Sequence, residues 1–484
     1  MKVLDLNSQQ NTPFDRYQKE RILHWDQVAD RLNIRRGLGG YYHRRLNQLI
    51  AYFVPAGKRV LEIGCGTGDL LAHLEPGYGL GIDFSEKMIL EARKRHPELN
   101  FLQADAHLLD RKDPFDFIIL SDSVNDFWDV QAVFEKLAEL SSPSTRIVLN
   151  YYSRLWELPL KIARTFKLAT PTLYQNWLTQ DDVQNLLYLA GFEVIRNQDE
   201  ILFPLDIPLL SPLLNRYLVK LWPFNQLALT HITLARPLPK LENEPQPLVS
   251  VVVPARNEAG NIESIFERVP EMGAGTELVF VEGHSQDETY QTIEKAIQAH
   301  PERKALLFQQ TGKGKGDAVR LGFAKANGEV LMILDADLTV PPEDLPRFYD
   351  ALRNGKGDFI NGVRLIYPME KDAMRFFNFL GNKFFSLVFT WLLGQPIKDT
   401  LCGTKVLSRI NYQAIAANRA YFGDFDPFGD FDLLFGAAKL NLKIVDLPIR
   451  YRERVYGQTN IQRWKHGWLL LKMVVFAARR LKFI

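Results

Sequence analysis

The sequence predicts an α/β chain of two domains, and three observations carry that prediction. Short apolar runs alternate with helical patterns in both halves of the chain, which is the pattern of parallel sheets flanked by helices. Two of those runs end on chemistry: Arg59–Ile63 leads into Gly64-Cys65-Gly66-Thr67-Gly68, and Val330–Leu334 stops at Asp335 and Asp337. Between them Arg236 to Pro247 reads RPLPKLENEPQP, with four prolines and few apolar residues, which is linker composition. A chain of 484 residues is also too long for one ordinary core. The expected segments are a helical extension over 1–39, a first domain over 40–236, a linker over 237–247, a second domain over 248–460 and a C-terminal helix over 461–484.

Composition narrows the class. With 46% hydrophobic and 24% charged residues the chain reads as globular. A formal net charge of +2 makes no case for nucleic acid. Cys65 and Cys402 are the only cysteines, so no disulfide framework is expected, which fits a reducing, cytoplasmic setting. The first twenty residues lack an apolar core of the signal-peptide kind, and no clean apolar run is long enough for an ordinary spanning helix.

In the first domain the strand at Arg59–Ile63 is followed at once by Gly-x-Gly-x-Gly and a helix start at Asp69. Glycines there let backbone approach a ligand, and a helix start favours polar or negative groups. A second strand, Gly79–Ile82, ends at Asp83, placed to take the hydroxyls of a ribose. A third, Asn100–Gln103, ends in Ala104-Asp105-Ala106, where Asp105 suits an adenine amino group, and a fourth, Phe115–Leu120, ends in Ser121-Asp122. Together these residues resemble the class I S-adenosylmethionine-dependent methyltransferases, over roughly 40 to 236. The resemblance implies a Rossmann-like, seven-stranded sheet with an antiparallel final strand. It also implies a cofactor site lined by Glu62, Gly64, Gly66, Gly68, Asp83, Asp105 and Ala106. A nicotinamide-binding domain or a ligand-free relative is the other reading; the Gly-x-Gly-x-Gly spacing favours the methyl donor. Asn125, His107, Tyr151 and Tyr152 are candidates near the methyl acceptor, and the bulky segment Trp156 to Trp177 is either a lid or core.

The second domain opens on Leu248–Pro254, a buried strand followed by Ala255, Arg256, Asn257 and Glu258. Next come a strand ending at Glu282, the run Gly283-His284-Ser285, the run Lys313 to Ala318 and a helix over Val319–Ala326. Asp-x-Asp behind a buried strand suits Mg²⁺ or Mn²⁺, hard cations that hold a diphosphate through oxygen. This order of motifs resembles a family 2 glycosyltransferase of GT-A fold, over about 248 to 460. By that resemblance Pro254, Ala255, Asn257, Glu258, Glu282 and Asp317 contact a nucleoside diphosphate sugar, of GDP or UDP, while Asp335 and Asp337 hold metal and diphosphate. Where the family has Asp-Asp-Gly-Ser this chain has Glu282-Gly283-His284-Ser285, which leaves the base open.

Within that family the runs Asp335–Glu343, Gly362–Arg364, Asp399–Lys405 and Arg452–Gly457 look like the dolichyl-phosphate mannosyltransferase type of polyprenyl-phosphate sugar transferase. The implied acceptor is polyprenyl phosphate or another lipid, already anionic, so arginine forks are needed in place of a strong base. Arg364, Arg375, Arg452 and Arg454 are the candidates, although Asn460 stands where that subgroup often has Lys. The alternative is direct transfer to a glycan or protein hydroxyl, with Asp432 (among Asp424, Asp426, Asp430 and Asp432) as base and the first domain as a non-catalytic module. Finally, Gln462 to Ile484 reads as one basic amphipathic helix, with Lys465, Lys472 and Arg479 on a stripe and Leu470, Leu471, Val474, Ala477, Ala478 and Leu481 opposite. With Trp464 and Trp468 it suits the inner face of a cytoplasmic membrane. The helix Phe376–Leu393 is a second candidate for membrane contact, and a homo-oligomer stays open.

Overall fold

The computed structural model describes residues 12–31, 40–166, 172–239, 245–364, 366–367, 376–422, 429–452, 456 and 463–484. The chain divides into two compact units, Met1–Leu238 with Phe483–Ile484, and Pro239–Lys482. Each unit holds one seven-stranded sheet.

The first sheet is built from β1 (Arg59–Ile63), β2 (Tyr78–Asp83), β3 (Asn100–Gln103), β4 (Phe115–Ser121), β5 (Ser141–Tyr152), β6 (Phe192–Glu200) and β7 (Thr230–Pro237). Its order is β3-β2-β1-β4-β5-β7-β6. The first five strands pair in parallel, while β7 is antiparallel to both β5 and β6. Central strands are apolar on both faces, as a doubly covered parallel sheet requires: Val60, Leu61, Ile118, Ile119, Ile147 and Val148 are fully buried. Because β1 and β4 are neighbours whose crossovers leave in opposite directions, a crevice opens at their carboxyl ends. The Pro13–Arg31 helix lies across that edge, tied by Gln18 to Asp105 and by the Arg21 Nε–H to the Asp126 carbonyl.

The second sheet contains β8 (Val249–Ala255), β9 (Thr276–Glu282), β10 (Lys304–Gln309), β11 (Val330–Ile333), β12 (Phe359–Val363), β13 (Lys405–Ser408) and β14 (Ile444–Pro448). Its order is β10-β9-β8-β11-β13-β12-β14. The sequence pattern predicts a parallel sheet; the sheet is mixed, because β13 runs antiparallel to β11 and β12. The reason is local. The chain enters β13 from the turn Asp399–Thr404, already at the carboxyl edge, so no crossover returns it to the other end.

The C-terminal helix differs from its expected form. It spans Arg463–Ala477 and ends in a π-helical turn over Ala478–Lys482. It packs on the Phe376–Leu393 helix and buries Leu470, Met473, Ala477 and Leu481. Leu471 and Val475 are exposed on the same side as Trp468 and Lys472, so the expected split into a basic stripe and an apolar side does not hold. Lys465 and Trp464 lie outside the described side chains. Among the described residues no helix is long and apolar enough to cross a membrane.

Candidate active sites

The first unit gathers its polar groups where β1 to β4 end. Gly64 has a φ of +74° and leads a turn whose Gly66 N–H donates to Asp83 Oδ2 at 3.0 Å. A Cβ at Gly64 would stand 2.7 Å from the Ser123 Cβ, so only glycine allows the turn to meet the β4 loop. Asp83 also accepts from the Ser85 N–H at 2.9 Å. Burial pushes its carboxyl up to about 6, against the pull of those amides. Asp105 accepts from the Gln18 amide at 2.8 Å and from the His107 backbone and ring. Burial raises its pKa, but those bonds outweigh it and hold Asp105 below the ordinary carboxylate value. The His107 Nε2 accepts from the Asp129 N–H, so its Nδ1 carries the proton toward Asp105. Ala106 is buried behind it. Glu62 faces inward: it is buried, burial drives its pKa well up, and the Leu71 backbone is its partner. Its Oε2 is buried with no hydrogen-bond partner among the described residues.

One carboxylate at this edge was named only as a strand end and not as a site candidate. Asp122, one residue past β4, has a φ of +54°. Its Oδ1 accepts from the Tyr42 hydroxyl at 2.7 Å and from Asn150 at 2.6 Å, and its Oδ2 has no partner among the described residues. Burial raises its pKa and the nearby His43 opposes this. A non-glycine residue held at positive φ beside a ligand turn is the strained geometry that clusters at sites. The sequence places a carboxylate at that strand end; it does not reveal Tyr42, eighty positions earlier. Tyr152 stands near Tyr42, with ring centroids 6.0 Å apart. Asn125 is locked to Asn176 and to the Tyr152 backbone, and Tyr151 is fully buried. In the Trp156 to Trp177 segment Leu158, Ile162 and Phe166 are exposed, so those residues are not core.

In the second unit, Pro254 and Ala255 end β8 and the next turn closes on itself. Asn257, at φ +58°, donates its N–H to Ser285 Oγ and accepts from the Gln286 N–H. Glu258 is buried and accepts from Asn261, while Glu282, 1% exposed, accepts from Ser285 and Gln309. Burial raises the Glu282 pKa, but the Ser285 hydroxyl and amide outweigh it and keep the carboxylate ionised. Asp317 accepts from the Gly312 N–H at 3.0 Å.

The Asp-x-Asp loop is the centre of this edge. Lys315 Nζ lies 2.6 Å from Asp335 Oδ1. Burial alone would raise the Asp335 pKa; the Lys315 charge reverses that and lowers it. Gly403 sits directly against this pair, with no room for a Cβ. Asp337 accepts from the Thr339 hydroxyl at 2.8 Å and its N–H at 3.2 Å. Asp430 joins the cluster through Lys405, 3.7 Å away, and through the field of Lys315.

Two of the expected residues have partners of their own. Asp432 is turned away from the cluster and pairs with Arg419 at 2.8 Å. Two residues on a helix differ by about 200° of rotation, so Asp430 and Asp432 cannot share a face. Arg364 spends its Nε and Nη2 on buried Asp399, at 2.7 and 2.9 Å. Arg452 is exposed, with its N–H on the Thr339 carbonyl. Arg375, Arg454, Asp424 and Asp426 lie outside the described residues.

Comparison with known proteins agrees with both halves. A family model described as a methyltransferase domain matches residues 55–191, and the glycosyl transferase family 2 model matches 250–413. The chain carries a methyltransferase domain and a family 2 glycosyltransferase domain. The dolichol-phosphate mannosyltransferase of Pyrococcus furiosus is 28% identical over 219 residues, 44% of this chain and 59% of that protein. This chain therefore spans less than two thirds of that relative. The dolichyl-phosphate beta-glucosyltransferase of Drosophila melanogaster is 28% identical over 260 residues, 49% of this chain and 76% of that protein. Among solved structures, the magnesium protoporphyrin IX methyltransferase of Synechocystis with bound SAH aligns at 18% identity and a TM-score of 0.30, covering 47% of this chain and 96% of that one.

Proposed function

We propose that the glycosyltransferase domain moves a sugar from a nucleoside diphosphate sugar to polyprenyl phosphate at the inner face of a cytoplasmic membrane. The methyltransferase domain, in this reading, transfers a methyl group from S-adenosylmethionine to a glycan or lipid of the same pathway. The observation that carries the first part is the pairing of the acids. Asp432 is held by Arg419 away from the Asp-x-Asp loop, Asp335 is held ionised by Lys315, and Asp430 lies buried by Lys405. Such an edge suits a nucleophile that arrives already ionised. A phosphate oxygen attacks the anomeric carbon, the bond to the diphosphate oxygen breaks, and its electron pair leaves with the nucleoside diphosphate. Lys315 faces that departing charge.

Among the described residues no three His, Cys, Asp or Glu side chains cluster as a metal cage. Two carboxylates fit Mg²⁺ or Mn²⁺ when diphosphate and water supply the other oxygens, so Asp335 and Asp337 are its proposed ligands. A bound divalent ion would neutralise the leaving diphosphate.

In the methyltransferase domain the unpartnered Asp122 oxygen suits a proton taken from an acceptor hydroxyl. The bond from Gln18 to Asp105 favours a second reading, a closed binding module that positions its neighbour without methylating anything. Membrane contact is supported by Leu380, Phe384 and Leu387 on one helix and Trp468, Leu471 and Val475 on the next, all exposed beside Lys472 and Arg479.

The test is a product assay with Mg²⁺ or Mn²⁺, UDP- and GDP-sugars and a short polyprenyl phosphate. A lipid-phosphate-linked sugar that disappears in Asp337→Ala supports the reading. Donor hydrolysis with no lipid product sinks it and moves the search to hydroxyl acceptors.

A further inference from the structure

The first unit carries a helical insertion whose polarity is inverted. Between β6, which ends at Glu200, and β7, which starts at Thr230, the chain makes the successive helical turns Leu210–Pro212, Leu213–Tyr217 and Leu218–Lys220. Their polar side faces inward. Asn215 accepts from the Leu202 and Phe203 amides and donates to the Tyr41 hydroxyl. Ser211 accepts from the Ile207 amide, and Lys220 pairs with buried Glu200. Leu210, Leu213, Tyr217 and Leu221 face solvent. A helix on a globular core ordinarily turns these two sides the other way round. Trp222 follows at 78% exposure. Leu209 precedes at 88%, with a φ of +66° that glycine would hold with less strain.

A second apolar stripe adjoins it. β5 ends at Tyr152 and leads to the helix Glu157–Thr165, no residue of which is buried. Leu155, Leu158 and Ile162 stand exposed at helical spacing. The Trp156 Nε1–H donates to the Leu227 carbonyl at 2.9 Å, which fastens this stripe to the end of the insertion. Both lie at the carboxyl edge, because β5 and β6 are each antiparallel to β7 and so run the same way. Tyr41, which accepts from Asn215, precedes the Tyr42 that donates to Asp122. The apolar face therefore borders the side on which Asp122 opens.

Charge selects the occupant. Asp206 is neutralised by Arg44. That leaves Arg154, Lys161 and Arg216 as exposed bases of the two segments, against Glu157 as the exposed acid. An apolar face with tryptophan and tyrosine, rimmed by bases, fits the interface of an anionic bilayer, where rings and bases sit at headgroup level.

We propose that this face of the first unit lies on an anionic bilayer, and that the methyl acceptor is borne by a lipid of that bilayer. The lipid-borne acceptor rests on the methyltransferase reading above; the docking of the face does not.

The experiment uses the full chain. Cys65 and Cys402 are buried, so Leu158→Cys puts an environment-sensitive thiol label on this face alone. With vesicles of equal parts phosphatidylglycerol and phosphatidylcholine, its emission is expected to shift to the blue and to be quenched by spin-labelled lipid. The same label at Leu90→Cys, on the helix Glu86–Arg95 that joins β2 to β3 at the far end of the sheet, is expected to stay in water. Leu213→Ser with Trp222→Ser should weaken embedding of the Leu158→Cys label about tenfold or more, with melting unchanged. A Leu158→Cys label that stays in water while the chain sediments with vesicles overturns the proposal. So does a label already blue-shifted without lipid, or a double-Ser variant that turns a dimer into a monomer with embedding unmoved, which would mark a second copy on this face. Equal embedding in phosphatidylcholine alone overturns the anionic assignment. Tritium from S-adenosylmethionine, supplied with native membranes, is expected in the chloroform-soluble fraction; tritium confined to the aqueous fraction overturns the lipid-borne acceptor. Embedding in a chain that binds no S-adenosylmethionine by calorimetry leaves the face standing and fails the methyltransferase reading.

Discussion

The two domains end their sheets on carboxylates, yet hold them by opposite means. In the methyltransferase domain Asp83 is held by the Gly66 and Ser85 amides, and Asp122 by a tyrosine and an asparagine. In the glycosyltransferase domain Asp335 faces Lys315, Asp399 faces Arg364, Asp430 faces Lys405 and Asp432 faces Arg419. Acids held by neutral donors, as Asp83 is by two amides, suit a cationic ligand, and a sulfonium is one. An edge already supplied with cations suits a diphosphate and a phosphate. The difference shows that counting acids at a sheet edge says little about the ligand; the partner of each acid says more.

That contrast breaks most visibly at Asp337. Asp337→Ala should cost roughly a thousandfold or more in glycosyl transfer, measured by lipid-linked product, while S-adenosylmethionine binding by calorimetry stays the same. Next in size is Arg364→Ala. It strands Asp399 in the core, so urea unfolding of the second unit should lose about 3–5 kcal/mol. Retained stability with a raised acceptor KM would instead return Arg364 to the acceptor.

Gly64→Val should weaken S-adenosylmethionine about a hundredfold, since a side chain there collides with Ser123 at a φ of +74°. Glycosyl transfer should not follow it. Asp83 gives a subtler effect with a definite sign. Its folded pKa, about 6, lies above the ordinary carboxylate value of 3.8. The folded state therefore binds the proton more tightly, and this contribution to stability is full below pH 3.8 and lost as pH rises through 6. Cofactor affinity should run the other way, weakening roughly tenfold per pH unit below about 6, and Asp83→Asn should flatten both profiles. The smallest effect is expected at Asp432→Asn. A phosphate acceptor predicts a change of only a few fold in turnover; a loss of about a hundredfold or more would restore a hydroxyl acceptor.

What the sequence made legible was local. The strands Arg59–Ile63 and Asn100–Gln103 were readable to the residue, because apolar runs bounded by glycine and carboxylate carry their own limits. The seven strands of the first sheet and its antiparallel last strand followed from resemblance; the order of the strands came only with the structure. Distant pairings were not readable: Arg364 finds Asp399 thirty-five positions on, and Tyr42 finds Asp122 eighty positions on. That Asp432 pairs with Arg419 while Asp430 lies by Lys405 is a matter of helical phase, which a run of four acids hides. The direction of β13 depended on where the chain re-enters the sheet, and no periodicity records that.

The re-entry at β13 has a consequence for how this protein can vary in length. Between Asp399 and Gly403 the chain is fastened twice, to Arg364 at one end and against Asp335 and Lys315 at the other. A single inserted residue must release one fastening or the other. The loop on the opposite side of the sheet, Ala299–Lys304, carries no such double anchorage to the Asp-x-Asp cluster. Insertions, tags and natural length changes should therefore be absorbed at the amino edge and rejected at 399–403, whatever residues they bring.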